Sequence, residues 1–330
     1  MQERSVAVSL TVQRPAPPAP APPPSTPSPE RSVTSSRRRS RRRRREHLLF
    51  AMFAFPNLAL IAVFAYWPVI GNAYLSLTRW DMIAPSPTFV GLENYTTLFT
   101  DPSFLRVLRI TGVWVVSVVG VSLAGGLALA LLFATKVPGR KAVSALVFSP
   151  HILSGAAVAA VWLFVFDPNY GLSRVAFSLF GMDSPHWTTS SSWALPALII
   201  VAVWKGVGFV AIVYLAALQS LPGDVLEAAR LDGAGRWKTF RHIIFPLLSP
   251  TTFFLTVTQI IGAFQSFDLI AMMTGGGPAE ATTTLSWFIY SQGFMQFKAG
   301  TAAAGAMIMF VLLLVVTVVQ MRYVEKKVHY

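Results

Sequence analysis

The sequence contains no cysteine, which excludes disulfide bonds, thiolate catalysis and cysteine metal sites over all 330 residues. Charged residues are also scarce, because only 12% of the chain is Asp, Glu, Lys or Arg, against about 25% in a soluble domain. A chain with so little charge cannot cover itself with a polar surface. Its 54% of apolar residues and mean hydropathy of +0.56 indicate a membrane protein.

Catalytic motifs are missing as well. The five histidines are scattered, with no H-E-x-x-H helix for a metal ion, and no G-x-S-x-G nucleophile elbow occurs. A phosphate-binding P-loop requires Gly followed by Lys, and the sequence has no such pair. We therefore expect a chain that binds no metal or cofactor and catalyses no covalent step, so that any ATP is bound by another subunit.

Positive charge is concentrated near the N-terminus. The formal net charge of +13 depends largely on nine arginines between Arg31 and Arg45, which follow the proline-rich stretch PAPPAPAPPPSTPSP. Residues 1–46 show no helical or strand period and are predicted to form a disordered cytoplasmic arm. The arginines are interpreted as an anchor on anionic membrane lipids, at about 1 kcal/mol each. Nucleic-acid binding by a membrane-anchored arm is the less favoured alternative.

Six stretches are apolar over the roughly 20 residues that a helix needs to cross a bilayer. They are predicted at about residues 48–70, 110–134, 143–166, 194–217, 251–274 and 302–321. Helices are expected because isolated strands cannot satisfy their backbone in lipid, and nothing alternates with period two over barrel lengths. The predicted fold is an all-α integral membrane domain of six transmembrane helices over residues 47–330.

The distribution of Lys and Arg orients these spans. One side of the membrane receives the arginine-rich arm and Lys136, Arg140, Lys141, Arg230, Arg236, Lys238, Arg241, Arg322, Lys326 and Lys327. The other side receives Arg79, Arg106, Arg109, Arg174 and Lys298, spread over longer loops. Both termini are therefore predicted to be cytoplasmic, and so is the segment between spans four and five.

That segment, residues 220–250, is predicted to form a hairpin of two helices. SLPGDVLEAARLDGAG predicts a short helix with Ser220 as N-cap, Pro222 near the first turn and Asp224 against the helix dipole, ended by a glycine turn at Gly233. RWKTFRHIIFPLL predicts a second, amphipathic helix that Pro246 ends or kinks. Its apolar stripe comprises Trp237, Phe240, Ile243 and Ile244.

The hairpin resembles the cytoplasmic signature of permease subunits of binding-protein-dependent ABC importers, which reads Glu-Ala-Ala, three residues, Gly, nine residues, Ile-x-Leu-Pro. The corresponding segment here comprises Glu227, Ala228, Ala229, Arg230, Asp232, Gly233, Ile243 and Pro246. Phe245 is the one departure, where the family usually has Leu. In that family this loop supplies the coupling helix, which docks in a groove on the ATP-hydrolysing subunit. The resemblance implies the same role for these residues, and residues 220–250 are therefore called the coupling hairpin.

The resemblance extends over about residues 48–330. Three stretches are similar to outer loops of sugar-type permeases: FVGLENYTTLF, FDPNYGL and MTGGGPAEATTTL. Two stretches resemble the subgroup for sn-glycerol-3-phosphate and glycerophosphodiesters such as glycerophosphocholine: GGPAEATTTLSWFIYSQGF and VVQMRYVEKKVHY. The resemblance to this family implies the fold of a type I importer permease (MetI-like) and a location in the bacterial inner membrane. The implied partners are a second homologous permease, two ATPase subunits holding ATP and Mg, and an extracytoplasmic substrate-binding protein.

A charge inside a span is the remaining clue. Lys205 falls near the middle of span four, where insertion scales assign a cost of roughly 2.5–3.5 kcal/mol. Two interpretations stay open: a substrate pathway, or a structural ion pair with Asp268. Trp204, Phe264 and Gln265 are candidates to line the same pathway, with ordinary packing as the alternative for the aromatic rings.

Other functions remain as alternatives. A permease for neutral oligosaccharides belongs to the same family, and selectivity there rests largely with the binding protein. An ion channel or secondary transporter would need intramembrane acids or a filter loop, and would have no use for the hairpin.

Deletion of residues 1–46 separates an importer from a nucleic-acid anchor. We expect uptake close to that of the full-length chain, because a disordered lipid anchor has no part in the pathway. Uptake per inserted protein in cells that lack the native chain measures this. A large loss of uptake, or a structure with the arm packed in the pathway, would contradict the prediction.

Overall fold

The computed structural model describes residues 49–50, 52–135 and 139–325. The predicted arm, residues 1–46, lies outside the described residues, so its disorder stays a prediction. The chain divides into two compact units, Met1–Phe64 and Ala65–Tyr330. The described part of the first unit is the beginning of the span-one helix.

Four helices are long and apolar enough to cross a membrane unbroken. They are span one, Met52–Leu75, which includes a π-helical segment at Ala62–Tyr66; span two, Pro102–Ala134; span four, Ala194–Gln219; and span six, Ala299–Glu325. Asp101 caps span two, because its side chain accepts a hydrogen bond from the Ser103 N–H. These helices confirm four of the six predicted spans, with ends displaced by several residues.

Span three is not the continuous helix predicted over residues 143–166. It consists of two helices, Arg140–Ile152 and Gly155–Val165, bent by 105° relative to each other. Pro150 near the end of the first helix cannot donate a backbone hydrogen bond. Ser154 then starts the second helix, since its Oγ accepts a hydrogen bond from the Ala157 N–H at 3.3 Å. The bend was not predicted because the apolar pattern continues through both Pro150 and Ser154.

Span five, predicted over residues 251–274, is also broken. Its main helix, Ser249–Phe264, follows the hairpin at a bend of 63°, with Pro250 in the first turn, and ends at Gln265. A separate short helix, Asp268–Met273, continues the chain. Counting Ala142–Ile152 with Gly155–Val165 as one span, and Arg236–Leu247 with Ser249–Phe264 as another, gives up to six spans in the described residues by length and composition.

Shorter elements connect the spans. A two-stranded antiparallel ribbon pairs Thr78–Arg79 with Thr88–Phe89, a small departure from the predicted all-α fold. The connecting helices are Glu93–Thr100, Leu172–Ser178 and Leu285–Tyr290, the last continued by a π-helical turn at Ser291–Met295. The hairpin contributes Gly223–Leu231, Arg236–Thr239, the π-helical Phe240–Ile244 and Phe245–Leu247.

The interior of the second unit is organised around spans two and four. Trp114 is fully buried, and its Nε1–H donates to the Ala263 carbonyl at 3.0 Å, which ties span two to the end of the main span-five helix. Gly208 of span four lies against the backbone carbonyl of Val147, so that a side chain there would overlap span three. Small residues at helix contacts allow this close approach within a membrane. The packing brings four spans around one common space.

Candidate functional site

The first helix of the coupling hairpin runs from Gly223 to Leu231. Its N-cap is Pro222, with no side-chain capping bond, so the prediction of Ser220 as N-cap was wrong. The Ser220 hydroxyl instead donates to the Ala217 carbonyl at 2.9 Å, at the end of span four. Pro222 explains the difference, because proline disfavours helical backbone at the preceding residue, Leu221, which would be the first helical residue after an N-cap at Ser220, so the helix starts two residues later.

The glycine turn that the sequence predicts is present at the end of this helix. Gly233 has φ +72°, which favours glycine over any residue with a side chain. Its N–H donates to the Arg230 carbonyl at 3.1 Å, and the Ala234 N–H donates to the Ala229 carbonyl at 3.0 Å. This pair of bonds is a Schellman motif. It sets the direction in which the chain leaves the first helix.

The second arm of the hairpin is helical with a π-helical turn. Pro246 has no N–H to offer the His242 carbonyl, and the Phe245 N–H donates to the Phe240 carbonyl, five residues back. The helix then ends, and the 63° bend into span five follows at Leu248. The predicted effect of Pro246 is confirmed, with the bend two residues beyond it.

The hairpin presents a mixed charged and apolar surface. Glu227, Ala228, Arg230, Asp232 and Pro246 are exposed, Ile243 is half-buried and Ala229 is buried within the fold. Two large apolar side chains stand out beside them, Leu231 at 89% exposed and Trp237 at 73%. Apolar side chains rimmed by charge are typical of a surface that another protein covers. The docking role of these residues stays a prediction.

A second candidate site is a cavity of about 240 Å³ between spans two, three, four and five. Its apolar side includes Trp114, Val118 and Leu269. Its polar side chains are His151, Lys205, Gln259, Gln265, Ser266 and Asp268. One ammonium, one carboxylate, one imidazole, two amides and a hydroxyl in a partly apolar space can hold a small polar solute by charge and hydrogen bonds. The cavity therefore has the composition of a pathway site.

The predicted pathway residues divide into two groups. Lys205, Gln265 and Asp268 line the cavity together. Trp204 lies outside it, with its ring edge-on to Trp162 at 5.5 Å between centroids. Phe264 likewise packs against the hydrophobic core. Both aromatic rings pack against other side chains, and a place for them in the pathway stays a prediction.

Lys205 and Asp268 share the cavity without forming an ion pair, since no N···O distance between them is within 4.0 Å. The salt bridge found among the described residues joins Arg79 to Glu93, outside the spans. Asp268 instead has its carboxylate against Gly155, where an added side chain would overlap it. This arrangement favours the pathway interpretation of Lys205 over the pairing interpretation.

Three polar cavity residues were missed in the sequence: His151, Gln259 and Ser266. His151 comes from the end of the first span-three helix and stacks on Phe209, with ring centroids 4.8 Å apart. Gln259 comes from the main helix of span five. His151 and Gln259 are each a polar residue inside an apolar run, and such a residue is itself a sequence signal for a polar site within the membrane. Their convergence depends on how the spans pack.

The bent spans, the hairpin and the cavity define the class, a multi-span permease subunit of an importer. The family described as "Binding-protein-dependent transport system inner membrane component" matches residues 33–330, and the chain belongs to this family. Curated relatives include the "sn-glycerol-3-phosphate transport system permease protein UgpA" of Yersinia pestis, 36% identical over 276 residues, which is 83% of this chain and 93% of the relative. The protein of the same name from Agrobacterium fabrum is 35% identical over 277 residues, 83% of this chain and 94% of the relative.

Solved structures of ABC transporters are similar to this chain in fold. A bacterial ABC transporter involved in the import of the acidic polysaccharide alginate matches with a TM-score of 0.73 and 28% identity, over 88% of this chain and 100% of the other. An inward-facing MetNI methionine ABC transporter shares the fold, with a TM-score of 0.50 and 17% identity over 69% of this chain and 97% of the other. The chain is therefore a non-catalytic permease subunit of an ABC importer of the sugar and glycerol-3-phosphate type, in the inner membrane.

Proposed function

We propose that this permease carries sn-glycerol-3-phosphate or a glycerophosphodiester such as glycerophosphocholine through the cavity beside Lys205. The observation that carries the proposal is that Lys205 lines a membrane cavity and that, among the residues that the structure describes, no carboxylate lies within 4.0 Å of it. A cation inside a span is costly and is retained where it serves a pathway or a partner. A phosphate group passing through the cavity would be such a partner.

The chemistry of lysine suits passage. An ammonium is a compact point charge that attracts phosphate without the bidentate grip of arginine, which would slow release. Gln259 and Gln265 offer amide groups to the hydroxyl and phosphate oxygens of a glycerol phosphate. His151, Ser266 and Asp268 are the other polar side chains of the wall, and Trp114, Val118 and Leu269 belong to its apolar side.

Relatives support an anionic substrate. The curated Yersinia pestis and Agrobacterium fabrum proteins are described as permeases for sn-glycerol-3-phosphate. The structural neighbour at 28% identity imports alginate, which is also acidic. A permease for neutral oligosaccharides of the same family is the alternative, and it would leave the charge of Lys205 without a role.

The transporter we propose has both termini and the coupling hairpin in the cytoplasm. This chain pairs with a second homologous permease, two ATPase subunits bind ATP and Mg, and a substrate-binding protein delivers the solute from the outer side. A neighbouring solved structure contains an alginate-bound periplasmic protein, which supports the last component. Closure of the ATPases would move the hairpin and expose the cavity alternately to each side. In this proposal the chain itself holds no cofactor and binds no nucleic acid, and the arm contacts lipid.

Uptake by cells that carry the complete transporter tests the substrate. We expect ATP-dependent uptake of labelled sn-glycerol-3-phosphate, with competition from glycerophosphocholine and none from a neutral maltose-type trisaccharide. Cells with an empty vector provide the background. Uptake of the trisaccharide with no uptake of either phosphate compound would refute the substrate proposal and favour the neutral alternative.

A further inference from the structure

The breaks in spans three and five lie side by side. The second span-three helix begins at Gly155, directly after the 105° bend, and the short helix after the span-five break begins at Asp268. These two helices pack on each other, with Val158, Leu269 and Ile270 buried in a common core. Two interrupted spans therefore meet at their interruptions, where a change of bend requires the least loss of backbone hydrogen bonds.

The contact at this junction is a carboxylate on a glycine. Gly155 is buried, and the side-chain oxygens of Asp268 fill the space that a side chain at position 155 would need. Gly155 is also the first residue of an 11-residue helix, whose N-terminus carries partial positive charge. The negative charge of Asp268 is thus placed where the helix dipole favours it.

We infer that Asp268 is a positioning residue, which holds the second half of span three against the break in span five during transport. The same contact directs the carboxylate toward the helix end, and over the described part of the chain Lys205 has no ion-pair partner in the cavity. The inference does not depend on which solute is carried. It predicts that the main effect of losing the contact falls on the rate of the conformational step, and KM is measured beside the rate because Asp268 also lines the cavity.

Two substitutions test the contact in the complete complex reconstituted in proteoliposomes. Asp268→Asn removes the charge, and Gly155→Ala displaces the carboxylate. We expect each to lower the maximal transport rate per complex about fivefold, within the range of charge–helix interactions, and to leave KM nearly unchanged. Gly112→Ala is the matched control, because position 112 has no neighbour within 4 Å of an added methyl group.

A double-mutant cycle decides whether the two residues act through each other. Asp268→Ala makes room for a methyl group at position 155, so Gly155→Ala should cause little further loss in that background. If Gly155→Ala alone prevents assembly, the double variant should restore assembly, which is measured by co-purification of the subunits. An undiminished effect of Gly155→Ala in the Asp268→Ala background, or a large rise in KM for either single variant, would overturn the inference. A failure of the glycerophosphate proposal alone would leave these results unchanged.

Discussion

Gly233→Pro and Glu227→Lys are each expected to stop transport while the chain still inserts in the membrane. Proline requires φ near −65°, whereas Gly233 adopts +72°, and proline also removes the N–H that donates to the Arg230 carbonyl. Forcing that turn into another conformation costs on the order of 1–3 kcal/mol and redirects the second arm of the hairpin. Glu227 is exposed, so Glu227→Lys reverses a charge on the proposed docking surface.

Substrate-stimulated ATP hydrolysis by the purified complex is the measurement. We expect either variant to lose the stimulation or to lose the ATPase subunit during purification. Gly235→Ala is the control, because Gly235 has φ −65° and no neighbour within 4 Å of an added methyl group. Normal, fully coupled hydrolysis in both Glu227→Lys and Gly233→Pro would remove the coupling role from this hairpin.

Lys205→Met is expected to depress uptake of the phosphorylated substrate strongly, while assembly and basal ATP hydrolysis are preserved. Loss of a charge-assisted hydrogen bond in the cavity corresponds to a KM increase on the order of tenfold or more. Lys205→Arg should retain part of the uptake, since it keeps the charge and changes the geometry. Concentration-dependent uptake in cells lacking the native chain separates KM from the maximal rate.

The pairing interpretation of Lys205 makes the opposite prediction. If Lys205 served only to neutralise Asp268, either single neutral variant would destabilise the complex, because it would leave one buried charge unpaired. The double variant Lys205→Met with Asp268→Asn would then restore both folding and uptake. That restoration would reject the phosphate contact. A KM in the assembled double variant as high as that of Lys205→Met alone would support it, because Asp268→Asn by itself is expected to lower the maximal rate and not to raise KM.

The hairpin could be predicted from the sequence because its determinants are local. The glycine at position 233 and the proline at position 246 each constrain the backbone within a few residues, and both act as expected. Ser220 was assigned wrongly because serine favours an N-cap but also bonds readily to a preceding carbonyl, and Pro222 decides between the two.

The spans could be predicted in number but not in shape. The length of an apolar run predicts a span but gives no information about a bend within it. Pro150 and Ser154, which together allow the 105° bend, lie inside such a run. The cavity was harder still, because Lys205, His151 and Gln259 lie on three different spans. These residues come together only through the packing of the spans, which cannot be inferred from their separation along the sequence. The contact of Asp268 with Gly155 was missed for the same reason.

ATP-driven accumulation of labelled sn-glycerol-3-phosphate in proteoliposomes tests the central claim most directly. The vesicles would contain this chain, the second permease and the ATPase subunits, with the binding protein outside and ATP inside. We predict accumulation against a concentration gradient that requires both ATP and the binding protein, and that Gly233→Pro abolishes. Accumulation driven by an ion gradient in the absence of ATP, or no dependence on the hairpin substitution, would contradict the account.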